Sequence, residues 1–161
     1  MKEILLLVNA LYFLFGATMY MGTMWVLRFF LYPTWRTLTP ENVDDHFGVP
    51  TTQATKFFTV VVPLMIVSGI VLVWSEWGDW YVVLSAVCLA GIIVLTWVGQ
   101  GIIIPVNKKI RNGEFDGPAG LTPLLVRWMK LNDIRFVGAT ITWAAIVWYV
   151  AAKGDLLGAL E

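Results

Sequence analysis

The sequence predicts an all-α membrane protein, a polytopic four-helix bundle forming one four-span domain over residues 1–161. Three observations carry that expectation. Four uncharged hydrophobic runs, Ile4 to Leu27, Phe57 to Trp74, Trp80 to Ile104 and Phe136 to Ala152, alternate with polar segments. A helix rises ~1.5 Å per residue and the hydrocarbon core is ~30 Å thick, so each run is at or near the ~20 residues a crossing needs. Hydrophobic residues make up 58% of the chain and charged residues 14%, against about 25% charged in a soluble domain. Finally, the polar segments differ sharply in charge, which sets an orientation.

The first run follows Met1, Lys2 and Glu3. Its apolar stretch is too long for the core of a secretory signal and no small-x-small cleavage site follows, so it is expected to remain as the first span. The helix should continue through Phe29, Phe30 and Tyr32 until Pro33 stops it. In the first loop, Thr39, Pro40 and Glu41 have the order of a cap, a first-turn proline and a first-turn acid, the start of a short amphipathic helix. Pro50 with Thr51 and Thr52 then opens the second helix. Inside it, Pro63 removes a backbone donor, is expected to bend the helix within a turn of Thr59 and frees the Thr59 carbonyl, for which the Thr59 or Ser68 hydroxyls or a neighbouring helix can compensate. The third helix is expected to end between Gly101 and Pro105, and Asn112 to Gly120 reads as a loop. Thr122 and Pro123 begin a last helix that runs without interruption into the fourth span.

Basic residues divide nine to two. Arg28, Arg36, Lys56, Lys108, Lys109, Arg111, Arg127, Lys130 and Arg135 lie in or beside the two long loops, whereas only Lys2 and Lys153 flank the other ends. The positive-inside bias therefore puts both long loops in the cytoplasm and both termini outside, in a plasma membrane or bacterial inner membrane. Trp74, Trp77, Trp80, Tyr81, Trp148 and Tyr149 are expected to form an outer aromatic belt, with Tyr32, Trp35 and Trp128 at the inner surface. Gly16, Gly22, Ser68, Gly69, Gly91 and Gly138 read as small residues that let helices approach closely.

Several functions are disfavoured. No Asp, Glu, Lys or His lies centrally in any run, which argues against a proton-coupled exporter. His46 is the sole histidine and Cys88 the sole cysteine, so neither a bis-histidine haem site nor a thiolate metal cluster forms within one chain, and no cofactor is expected. The basic residues follow the membrane edge and are interleaved with acids, so nucleic acid is not an expected partner.

The polar residues that stand out gather at one level: Arg28, Gln100, Asn107, Trp128, Asn132 and Arg135. Trp128, Asn132 and Arg135 are spaced i, i+4, i+7 and share one helix face. Two readings stay open. Either this face looks into the bundle and lines an amphiphilic pocket, or Arg28 and Arg135 reach out to lipid headgroups while Asp133 pairs with a neighbouring base.

Pro105, Val106 and Asn107, followed by Arg127, Trp128, Leu131, Asn132, Ile134 and Arg135, give the chain a resemblance to the anthrone oxygenase-like family of small four-helix membrane proteins. The resemblance covers the four-span layout and is carried best by the C-terminal half. It implies an oxygenase-like membrane protein, since a few members are associated with the cofactor-free oxidation of polycyclic phenolic anthrones to anthraquinones. Asn132 departs from it by occupying a position where a histidine would serve better as a base. Two function classes follow. One is an enzyme or binder for a flat lipophilic molecule, such as a polyketide or quinone, held by Trp128 stacking and by hydrogen bonds from Asn107, Asn132 and Arg135. The other is a noncatalytic accessory subunit that packs against a larger membrane complex or a second copy of itself. Membrane lipids are partners in either case.

Overall fold

A computed structural model describes residues 2–154, and every regular element among them is helical. Four rods are long and apolar enough to cross a membrane: α1 (Glu3–Trp35), α2 (Asp44–Ser75), α3 (Tyr81–Arg111) and α4 (Gly117–Lys153). The chain is an integral membrane protein. Each helix packs against its sequence neighbours and α4 closes back onto α1, so the bundle is a ring of four antiparallel helices.

The rods contain 31 to 37 residues, about 46–56 Å at ~1.5 Å per residue, so they extend well beyond a ~30 Å hydrocarbon core. The excess lies at the end that carries both long loops, because there α2 and α4 run on past Phe57 and Phe136 into polar sequence. The bundle accordingly has two apolar cores. One, around Phe13, Met65, Leu72, Ile92 and Ile146, fills the spans. The other, around Trp35, Phe47, Ile110, Leu121, Leu125 and Trp128, fills a helical cap at the loop end.

The helix ends differ from expectation in a consistent way. Pro33 and Pro105 do not stop their helices, and the first-loop turn is fused to α2 instead of standing alone. In each case a wide π-turn precedes the proline: Leu27–Leu31 before Pro33, Asp44–Gly48 before Pro50, and Val98–Ile103 before Pro105. The residue just before the proline closes that turn with a bond to the fifth carbonyl back, Tyr32 to Leu27, Val49 to Asp44 and Ile104 to Gly99. The widened turn admits a ring that would otherwise press on the carbonyl four residues earlier. The last helix likewise begins earlier than Thr122, at Gly117 with Pro118 in its first turn, and Pro123 lies inside it.

Small residues bring the spans together. A Cβ at Gly91 would overlap the Thr142 hydroxyl of α4, and one at Gly16 would overlap Met65 of α2, whereas Gly22 faces open space. Between α1 and α2, Asn9 donates to the Ser68 carbonyl at 3.1 Å and the Ser68 hydroxyl donates back to the Asn9 carbonyl at 3.0 Å. The Ser68 hydroxyl is thus committed to α1, and the Thr59 hydroxyl donates to the Thr55 carbonyl at 2.7 Å. Neither serves the carbonyl freed by Pro63.

At the opposite end Trp74, Trp77, Trp80 and Trp148 are exposed, as a belt requires. Tyr149 is turned inward, donating at 2.7 Å to the buried Glu76 carboxylate, which also receives Lys153 at 2.7 Å. Tyr32, Trp35 and Trp128 are not an inner belt. They are buried in the cap core, edge to face or tilted against one another and Phe47.

Candidate binding cavity between the two cores

A cavity of about 410 Å³ opens where the span core meets the cap. Such a volume suits a small organic molecule. All four helices contribute to its wall, with Leu27 and Leu31 from the π-turn of α1, Gly99, Gln100 and Ile103 from that of α3, and Pro50 and Thr51 just after the turn of α2. Much of the remaining wall is apolar, with Met24, Phe58, Val62 and Leu95 among its side chains.

Polar groups on α1, α3 and α4 form a connected chain. The Arg135 guanidinium donates through Nε to the Tyr20 hydroxyl at 2.9 Å, and through Nη2 to the same oxygen. Its Nη1 donates to Asn132 Oδ1 at 3.0 Å, and Asn132 Nδ2 donates to the Trp128 carbonyl at 3.0 Å. The Trp128 indole N–H donates to Asn107 Oδ1 on α3. Asn132 is 1% exposed and Asn107 7%, so these amides are held by packing as well as by bonds. On α2, Thr51, Thr55 and Thr59 line the cavity at helical spacing, each hydroxyl spent on the carbonyl one turn back.

The α1–α4 register bears on the direction in which Arg135 reaches. Between α1 and α4, Arg28 pairs with Asp133, Tyr32 donates to the Met129 carbonyl and Trp143 donates to Thr18. That register sets Tyr20 level with about Ile141, some six residues or roughly 9 Å deeper than Arg135. The guanidinium therefore extends along the bundle toward Tyr20 and lies 5.2 Å from its ring centre.

Of the six residues singled out from sequence, Gln100, Asn107, Trp128, Asn132 and Arg135 line this cavity. Arg28 does not. Its guanidinium pairs with Asp133 and lies 5.0 Å from the Phe136 ring centre. His46 is exposed in the α2 turn and lies outside the lining. Tyr20 and the α2 threonines escaped sequence reasoning. The threonine spacing of i, i+4, i+8 was readable, and a tyrosine deep in an apolar run, away from either interface, is the signal for Tyr20. No group of three or more His, Cys, Asp or Glu among the described residues forms a metal-binding cluster.

No family model, curated protein or solved structure matches the chain.

Proposed function

We propose that this protein binds a flat lipophilic small molecule, aromatic or quinone-like, in the cavity between its two cores. The observation that carries the reading is the single hydrogen-bonded chain from Tyr20 through Arg135, Asn132 and Trp128 to Asn107, set along one side of a largely apolar cavity. Apolar walls supply affinity and a few fixed polar groups supply orientation. The lining residues include no carboxylate, imidazole or thiol, so the proposal is recognition, with no proton-transfer step assigned. Membership of the anthrone oxygenase-like family belongs to the same proposal, supported by the way Asn107, Trp128, Asn132 and Arg135 of the motif share one cavity wall. The orientation proposed with it has both long loops in the cytoplasm, on the strength of the basic asymmetry.

Asn132→Leu preserves side-chain size while removing the link between Arg135 and Trp128. The protein, gently extracted from its own membrane, should carry a small molecule visible by native mass spectrometry, and the variant should remain folded and lose it. Unchanged retention by the variant would overturn the pocket reading. Copurifying polypeptides in fixed stoichiometry, with no small molecule, would replace it with the accessory-subunit reading.

A further inference from the structure

We infer that the ligand of this cavity is a monoanion, with one carboxylate or phenolate group on an apolar body; the inference rests on the binding role just proposed. Among the described residues, Arg135 is the only charged one in the lining. The ion pairs among the described residues join Arg28 to Asp133 and Lys153 to Glu76, and neither includes Arg135. Asp133, two positions away on α4, is paired with Arg28 instead. Among the described residues, Arg135 makes its hydrogen bonds to neutral groups and joins no ion pair. A guanidinium cannot shed its proton to escape this, and a lone cation in apolar surroundings is costly. A ligand that brings one negative charge removes that cost.

Hydrogen-bond accounting points the same way. Three guanidinium N–H groups are engaged, two by Tyr20 and one by Asn132, which leaves two of the five free. The Tyr20 hydroxyl accepts from Arg135 and donates to no described residue, so its own proton is available too. Two N–H groups and one O–H on one patch match the lone pairs of a single anionic oxygen group. The opposite wall does not repeat this pattern. Thr51, Thr55 and Thr59 have given their protons to their own helix and offer only acceptor oxygens, which would repel a second acid and suit a ligand hydroxyl. One negative charge is therefore the number that fits.

A free amphiphilic acid and an anionic membrane lipid share this chemistry, and the test separates them. The protein is placed in phosphatidylcholine nanodiscs at a pH well above the carboxyl pKa and titrated calorimetrically with naphthoate and with its uncharged methyl ester. Naphthoate should bind about tenfold tighter than the ester. Arg135→Gln should erase the preference by weakening naphthoate alone. Tyr20→Phe, which keeps the charge and the ring, should weaken naphthoate roughly threefold and leave the ester unchanged. Equal affinity for acid and ester in the unmodified protein would overturn the monoanion while leaving the cavity reading in place; binding of neither would overturn both. In nanodiscs containing phosphatidylglycerol, loss of naphthoate binding would assign the anion to the bilayer, and unchanged binding would assign it to a free acid.

Discussion

Glu76 illustrates how a single side chain escapes a sequence reading. Nothing local in the short turn between the second and third runs marks Glu76 as buried, yet it is 5% exposed and ties the end of α2 to Tyr149 and Lys153 of α4. Only the folded chain brings those partners, more than seventy positions away, to its side. Glu76→Gln should lower stability by about 1–2 kcal/mol, because the Tyr149 bond weakens and the Lys153 pairing is lost. The neighbouring Asp79→Asn should be close to silent, and thermal unfolding of the two in one detergent gives the comparison. Trp128 makes the converse case: an aromatic residue at helical spacing from Asn132 and Arg135 was legible as part of a polar face. Trp128→Phe keeps most of the packing and strips the indole N–H from buried Asn107, an expected loss of about 1–3 kcal/mol in the same assay.

Among the elements, helix count and the approximate spans were readable because uncharged runs of crossing length are hard to produce otherwise. Helix ends were not, since proline read locally means a stop, and only the preceding π-turn shows that α1, α2 and α3 continue through it. The small residues separate in the same manner. Sequence treats Gly91 and Gly22 alike, whereas one abuts Thr142 and the other meets open space. Gly91→Ala should push α3 and α4 apart and cost about 1–3 kcal/mol. Gly22→Ala should be neutral or gain up to about 1 kcal/mol through helix propensity. Equal midpoint shifts for both substitutions would mean that close approach at Gly91 contributes nothing.

For the molecule as a whole, orientation follows from charge and not from packing. A reporter fused near Gly113, in the loop between α3 and α4, should read as cytoplasmic. One fused at Glu161, which lies outside the described residues, should read as external; the reverse pattern would invert the topology and move the cavity to the other leaflet. The pocket face was half legible on this scale. Asn132 and Arg135 could be grouped by periodicity, but whether the group looked in or out depended on the α1–α4 register, which no single helix encodes. Tyr20 and Arg28 show the result, one drawn into the cavity and the other left on the outer side with Asp133.

Two cores built from one set of helices also means one protein folded in two solvents. Inside the bilayer, lipid tails are as apolar as leucine, so the span core is held by close packing and internal hydrogen bonds. The cap around Trp35, Phe47 and Trp128 is closed against water and draws on the hydrophobic effect as a soluble domain does. Urea and cold weaken that effect. The cap should therefore melt first, with tryptophan emission shifting to the red at urea concentrations that leave the helicity of the spans intact. A ligand seated at the junction would be released at that first stage, before the membrane-embedded helices lose their places.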